Sequence, residues 1–224
     1  IYMDNLPGWS DDDADRSDEA AFGSESDYMY GQLTENSVNY WPYDQIRRIN
    51  VLLTEIDGGT LDQDLKDRLK AESLFFRAWR YWELVKRYGG VPLILEPQQL
   101  GDDLLVTRAT TSAVMDQILA DLDQAIAVLP QFDAGSDEND GHLHGGTALA
   151  LKGRILFYFA SPQFNRGSDA APWQDAYQAN LAAKEYLDAH GFGLHHDFAG
   201  LWFDQMNPEA IFVRRYSYPV DTHN

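Results

Sequence analysis

The chain has 224 residues, of which 44% are hydrophobic and 13% aromatic, and it carries a formal net charge of −19 and no cysteine. The apolar and aromatic content supports a folded core and argues against wholesale disorder. The acidic charge argues against nucleic acid and anionic lipid as partners, because both are bound by clustered Lys and Arg. The lack of cysteine excludes disulfides and thiolate metal sites. No apolar run approaches the roughly 20 residues that a membrane-spanning helix needs.

The first predicted feature is a long acidic loop, from about residue 8 to residue 38, in which Arg16 is the only basic residue. Loops of this length are commonly functional or disordered, and the tyrosines of this one favour an ordered loop. Within and beside it, flat aromatic faces lie close in sequence to amide groups. This combination suits sugar rings, which have apolar C–H faces and hydroxylated rims. The candidate ligand residues are Tyr28, Tyr30, Asn36 and Asn39.

The same loop contains alternating carboxylates at Asp11–Asp15, as sites for hard cations do. An EF-hand loop that starts at Asp11 needs Gly at its sixth position and Glu at its twelfth, where this chain has Arg16 and Phe22. The EF-hand interpretation therefore fails, and a solvated charge run is the default. No cofactor and no metal site is predicted, and an irregular calcium site in this run is the alternative.

Two histidine pairs further along the chain are the other candidate metal ligands. His142 with His144, and His195 with His196, lack the helical spacing of a zinc protease and have no glutamate placed as a base. We predict that they are polar loop histidines.

Five helices are predicted after the acidic loop, at about 42–56, 61–88, 113–129, 147–160 and 172–190. The second is the most distinctive, because Lys86 and Arg87 occupy its last turn, where the helix dipole favours cations. Gly89 can adopt the left-handed cap conformation, and Pro92 prevents the helix from resuming. An extended segment follows at 91–95, and residues 210–218 have the composition of a strand.

The aromatic residues of these helices are predicted to be structural. Trp79, Trp82, Phe157 and Phe159 are expected in the core, and Trp41 and Trp173 are expected to pack where helices begin.

A weak internal repeat relates the second and fourth helices. Ala71, Leu74, Arg77 and Tyr81 align with Ala148, Leu151, Arg154 and Tyr158. Small alanines let paired helices approach closely, which is the logic of tetratricopeptide-type stacking. The copies are not contiguous, so the predicted stack is irregular.

No nucleophile-elbow, Walker or dinucleotide-binding motif occurs in the sequence. A carboxylate pair for glycoside hydrolysis stays open, because such pairing is spatial and acidic residues are plentiful.

The stretch Ala71–Leu93, which ends in Arg-Tyr-Gly-Gly-Val-Pro-Leu, resembles the signature of the SusD/RagB family of outer-membrane nutrient-binding lipoproteins. Four further stretches match that family in the same order. They are Ser17–Glu19, Trp41–Asn50, Ala148–Arg154 with Ala160–Asn165, and Pro208–Phe212.

This resemblance implies a mainly all-α fold, an irregular tetratricopeptide-like helix-pair stack with long loops and a few short strands. It implies that glycans, or sometimes peptides, are bound without being cleaved. The implied partner is a SusC-like TonB-dependent transporter, which such proteins cap as outward-facing outer-membrane lipoproteins. The matching helices are implied to serve as scaffold and transporter-facing surface. A lipid anchor is implied upstream of Ile1.

The implied organisation is one SusD-like domain portion over 1–224. It comprises the acidic loop at 8–38, a helical-pair scaffold at 41–190 and the start of a strand and loop region at 208–224. Family members are longer, so the C-terminal half is expected to be absent from this chain.

The leading functional hypothesis is non-catalytic binding of a polysaccharide or oligosaccharide at the cell surface, for delivery to the transporter. One alternative is a helical-repeat adaptor for peptides or proteins, and another is a glycoside hydrolase.

Overall fold

The computed structural model describes residues 40–136, 141–204 and 206–213. The chain divides into two compact units, Ile1–Trp41 and Pro42–Asn224, and all of the described helices belong to the second. The described residues form five α-helices: α1 (Tyr43–Glu55), α2 (Gln63–Tyr88), α3 (Thr111–Val128), α4 (Gly145–Phe159) and α5 (Ala170–Ala189). Two short 3₁₀ helices lie at Ile56–Gly58 and Gly200–Phe203. All five predicted helices are confirmed.

Local chemistry fixes the ends of α2. The Asp62 carboxylate accepts a hydrogen bond of 2.9 Å from the Leu65 backbone N–H and so caps the first turn. Gly89 ends the helix at φ +67°, as its sequence position predicted, and its N–H donates to the Val85 carbonyl. Gly90 packs directly against the chain, since a methyl group there would lie 2.1 Å from the Ala109 carbonyl oxygen. Only glycine therefore fits at this turn.

Each helix packs against the next along the chain, from α1 to α5. This is the arrangement expected of stacked helix pairs, and it confirms the all-α, tetratricopeptide-like prediction. Residues 91–95, the predicted extended segment, belong to no helix or turn, and none of the described residues is in a β-strand. Of the segment 210–218, the described part (210–213) is bend and irregular.

The main core lies between α2 and α3, with contributions from α1 and α4. Its largest members are fully buried aliphatic and aromatic side chains: Ile46, Phe75, Tyr81, Leu84, Ile118, Leu122 and Ile155. Burial of this apolar surface is the main stabilising contribution to the stack.

A buried polar network crosses this core. Arg77 of α2 donates two hydrogen bonds, of 2.7 and 2.8 Å, to the two carboxylate oxygens of Asp121 on α3. A third, of 3.1 Å, reaches the Asn50 side-chain oxygen on α1. Gln117 donates to the same Asp121 carboxylate at 2.7 Å. Because its partners lie on three helices, this network fixes their relative positions.

The extended segment is tied to the same core through Tyr81. Its hydroxyl donates to the Ile94 carbonyl and accepts from the Ile94 N–H, each at 2.8 Å. Burial raises the pKa of the Tyr81 hydroxyl to about 12, so this side chain stays neutral and can play both roles. The Asn50 amide also donates to the Ile94 carbonyl, at 2.9 Å.

One predicted core position is wrong, because Phe157 is 59% exposed, whereas Trp82 is buried. Trp173, near the start of α5, is 41% exposed and packs its ring against that of Phe157. Trp41, just before α1, is 50% exposed. Within the part of the chain that the structure describes, no helix is long and apolar enough to span a membrane.

Candidate functional site

A groove follows one face of the α4–α5 pair. It consists of two cavities, of about 520 and 720 Å³, that share Arg154 and Asn180 in their linings. The smaller cavity, the aromatic end, adds Phe157, Trp173 and Tyr177. The larger, the polar end, extends to Lys184, Asp188 and Glu209. We call this surface the α4–α5 groove.

Helix periodicity places the residues of α5 along the groove. Trp173, Tyr177, Asn180 and Lys184 follow one another at steps of four, three and four residues, which puts them on one face of the helix. The only buried residues of α5 are Ala176 and Ala183, seven residues apart on the seam with α4. Because this seam is narrow, most of the α5 surface stays uncovered.

Close packing at the seam holds the groove floor. The Asn180 amide donates to the carbonyls of Gly153, at 2.9 Å, and Ala176, at 2.8 Å. A methyl group at position 153 would lie 2.7 Å from Asn180 Oδ1, so glycine allows this contact. The amide therefore cross-links α4 to α5 in the middle of the groove.

Three aromatic rings line the aromatic end. The Phe157 and Trp173 rings meet edge to face, with centroids 5.7 Å apart and an interplanar angle of 76°. Tyr177 is 59% exposed and lies one turn further along α5. A cluster of exposed rings of this kind commonly marks a binding surface.

The charged groups of the polar end are already engaged within the protein. Lys184 forms an ion pair with Asp188 on the same helix. Glu209 accepts a hydrogen bond of 2.8 Å from the His195 backbone N–H. Arg154 differs, because it has no hydrogen bond or ion pair within the described residues.

His144 positions the wall of the polar end. It directly precedes α4, is fully buried, and donates from Nε2 to the Ile211 carbonyl at 2.9 Å. Its ring stacks on Phe192 with centroids 5.3 Å apart. Phe192 and Ile211 both line the groove. Burial lowers the pKa of His144, so the ring is neutral near pH 7 and Nε2 carries the proton that the carbonyl accepts.

The ligand residues predicted from sequence, Tyr28, Tyr30, Asn36 and Asn39, lie outside the described residues, as does the Asp11–Asp15 run. The sequence did not single out Trp173 and Tyr177 as groove residues. Their four-three-four spacing with Asn180 and Lys184 defines a second face of α5, but the spacing alone does not show whether that face is covered.

The two histidine pairs are loop and packing residues. His142 is exposed and lies 3.4 Å from Arg68 through its Nδ1, whereas His144 is buried. The His195 and His196 rings stack on each other with centroids 4.7 Å apart. The described residues contain no group of three or more His, Asp or Glu side chains that could hold a metal ion.

A family model described as "Starch-binding associating with outer membrane" matches residues 11–137, more than half of the chain. The chain belongs to the SusD-like family. This confirms the resemblance drawn from the five sequence stretches. The matched residues include α1, α2 and α3 and therefore the Arg77–Asp121 network.

Individual SusD-like relatives agree with this assignment. A SusD-like protein of Formosa agariphila is 28% identical over 98 residues, which are 42% of this chain and 19% of the relative. The crystal structure of a SusD-like protein from Bacteroides fragilis matches with a TM-score of 0.66 at 27% identity, over 79% of this chain and 33% of its own. A laminarin-binding SusD-like protein matches with a TM-score of 0.65 at 28% identity, over 88% and 41% respectively. The chain thus spans less than half the length of these relatives.

Proposed function

We infer that this chain belongs to a cell-surface protein that binds a glycan without cleaving it and delivers it to a TonB-dependent outer-membrane transporter. The observation that carries this proposal is the match to the laminarin-binding SusD-like structure, which extends over 88% of this chain. The description of the family as starch-binding and outer-membrane-associated supports the same ligand class and location. Laminarin and starch are both neutral glucose polymers, and they are the first ligands to test.

Binding is tested by isothermal titration of the full-length protein with laminarin and soluble starch. We expect heat of binding with at least one polymer of a wider glycan panel. Tyr28→Ala and Tyr30→Ala are expected to weaken that binding, with Phe198→Ala, an exposed ring outside the groove, as the control. A protein that binds no glycan but captures peptides would instead support the adaptor hypothesis.

The hydrolase hypothesis is tested separately, because Asp188 and Glu209 both line the polar end of the groove. Glycoside hydrolysis needs one carboxyl group as acid and a second as base or nucleophile. Here the Lys184 ion pair and the His195 N–H already engage these two carboxylates. We expect no reducing sugar to be released during prolonged incubation with the bound polymer. Release that is lost in Glu209→Gln would reverse the non-catalytic assignment.

Delivery to a transporter is proposed together with an outward-facing, lipid-anchored location at the outer membrane. Co-expression with a SusC-like transporter and purification from outer membranes would test it. The two proteins are expected to co-purify, and glycan uptake should fall when this protein is deleted. Unchanged uptake in the deletion strain would rule out the delivery role while leaving glycan binding intact.

A further inference from the structure

We propose that the α4–α5 groove is itself a glycan-binding site, with Phe157, Trp173 and Tyr177 as the platform for a neutral oligosaccharide. This proposal rests on the proposed function and names a place on the fold for its ligand. It differs from the candidate residues of the acidic loop, which belong to the other compact unit.

The first argument is the presentation of the rings. Trp173 is 41% exposed and Tyr177 is 59% exposed, although large aromatic side chains are normally mostly buried. They project from a helix whose seam is held by the Asn180 cross-link to Gly153. The rings are thus exposed on a fixed backbone. Such presentation favours stacking against the apolar face of a sugar, because little order is lost on binding.

The second argument is the polar groups among the rings. Asn180 Oδ1 and the Arg154 guanidinium have no hydrogen-bond partner within the described residues, and both line the two cavities. An apolar helix docked here would bury them without partners, at a substantial desolvation cost. Sugar hydroxyls donate and accept, so they can satisfy the amide oxygen and the guanidinium together. The groove is therefore better matched to a carbohydrate than to an apolar protein segment.

The third argument is charge. Lys184 and Asp188 neutralise each other at the polar end, so Arg154 and the Glu209 carboxylate are the other charged groups among its described lining residues, and they have opposite signs. The net charge of −19 repels polyanions at long range. Together these favour a neutral glycan over one that carries carboxylates or sulfates.

The groove is long enough for more than one sugar. From Trp173 to Leu187, α5 advances about 21 Å along its axis at about 1.5 Å per residue. The two cavities together follow this length, with the aromatic platform at one end and the Phe192–Ile211 wall at the other. The expected ligand is thus a stretch of polymer or an oligosaccharide.

The test is isothermal titration of the full-length protein and its Trp173→Ala and Tyr177→Ala variants, with laminarin and soluble starch. Each variant should weaken binding of the preferred polymer by about tenfold or more, as expected for central aromatic contacts. The matched control is Trp202→Ala, which removes a 73% exposed tryptophan that lines neither cavity and should leave affinity unchanged. Near-wild-type unfolding curves must accompany the loss, to show that the fold is intact.

Two further measurements make the assignment specific. Hydroxyl-radical footprinting should show Trp173 and Tyr177 reactive in the free protein and protected once the polymer binds. Polygalacturonate, a polyanion, should bind more weakly than the neutral polymer. If polygalacturonate bound more strongly than the neutral polymer, and if this binding depended on Arg154, the assignment of a neutral glycan as ligand would be overturned.

The outcomes separate this site from the function that it serves. Wild-type affinity in both aromatic variants would overturn the groove site while glycan binding elsewhere stands. Unreactive rings in the free full-length protein would do the same, since another part of the molecule would then cover the platform. Failure of the unaltered protein to bind any glycan of the panel would overturn the proposed function, and the groove site with it.

Discussion

The two copies of the internal repeat, on α2 and α4, use the same pattern in opposite ways. In α2, Arg77 is buried and holds the Asp121 carboxylate of α3 through two hydrogen bonds. In α4, the equivalent Arg154 is exposed and lines a groove, and the facing helix presents Asn180 rather than a carboxylate. The copies touch each other directly, since the Trp82 and Tyr158 rings meet edge to face with centroids 4.9 Å apart.

This difference shows how a repeat can supply both structure and function. Both α2 and α4 have a helix packed on each side, but among the described residues only α2 has a neighbour that provides a counter-charge for its buried arginine. The α4–α5 pair is packed along a narrow alanine seam, so its outer face keeps polar and aromatic groups available. We therefore expect substitutions in the α2 copy to change stability and substitutions in the α4 copy to change binding.

The largest expected effect is in the α2 copy, which we call the closed copy because its arginine is buried, in contrast to the open copy on α4. Asp121→Ala removes the counter-charge of Arg77 and leaves a guanidinium buried without it, which typically costs about 3–5 kcal/mol. Urea denaturation should show this decrease in the free energy of unfolding, with the same dependence of that free energy on urea concentration in variant and unaltered protein. Asp123→Ala is the control, because Asp123 lies on the same helix and pairs with Lys152 at the surface. It should cost about 1 kcal/mol or less. Equal costs at the two positions would contradict the structural role given to the buried pair.

The second prediction concerns the turn after α2, which positions the extended segment of the closed copy. Gly90→Ala would place a methyl group 2.1 Å from the Ala109 carbonyl oxygen, so the backbone must move. We expect a loss of about 1–3 kcal/mol, as for other overpacked sites. Gly101→Ala is the matched control, since a methyl group there meets nothing within 4 Å. Thermal unfolding of both variants measures the difference. If Gly90→Ala left the stability unchanged, the turn would have room for a methyl group.

The sequence was sufficient for the fold because the determining signals are local. Neighbouring residues alone predicted the end of α2: a basic last turn, Gly89 as its cap and Pro92 to prevent the helix from resuming. Errors at helix ends were small: α3 begins at Thr111 rather than at the predicted residue 113, and the Thr110 hydroxyl accepts from the Ala113 N–H and caps it. Family membership could also be inferred from the sequence, because five stretches match the family's sequence motifs in the same order.

The groove could not be predicted in the same way, because its character depends on tertiary contacts that are absent. Trp173 and Phe157 are of residue types that are usually buried. Helical periodicity does not show whether the face that carries them is covered by another part of the protein. The pairing of Arg77 with Asp121 spans 44 positions in the sequence and has no local signal. The two copies differ in the packing of α3 on α2, which supplies Asp121, whereas no carboxylate of the described residues pairs with Arg154.

The third prediction concerns pH and the start of the open copy. Burial lowers the pKa of His144 below its ordinary value of 6.5, with the nearby His190 adding to the effect and the Ile211 carbonyl opposing it. Below about pH 6.5, His144 therefore binds a proton more readily in the unfolded chain than in the folded chain. The free energy of unfolding should decrease as pH falls from 6.5, and this contribution should be flat at higher pH.

The measurement is urea denaturation between pH 5 and pH 8 for the unaltered chain and for His144→Phe. The variant should lose part of the decrease below pH 6.5, whatever its absolute stability. His142→Phe is the comparison, because it also replaces one histidine by phenylalanine, but at an exposed position. Other groups near His144, namely Tyr186, His190 and Asp133, are present in all three proteins and cancel in the comparison. An identical pH profile for His144→Phe would show that His144 titrates normally.

The smallest expected change in stability is at the rim of the open copy. Trp173→Ala removes an edge contact with Phe157 from a side chain that is already 41% exposed, so we expect a loss of about 1 kcal/mol or less. Ala176, on the seam with α4, is 1% exposed and serves as the contrasting position. Ala176→Leu would force α5 away from α4 and lower the free energy of unfolding by about 1–3 kcal/mol. Urea denaturation of both variants measures the contrast. If Trp173→Ala were the more damaging of the two, the ring would be a structural part of the helix pair. A small loss of stability together with a large loss of glycan affinity in Trp173→Ala would indicate that this ring serves binding rather than folding.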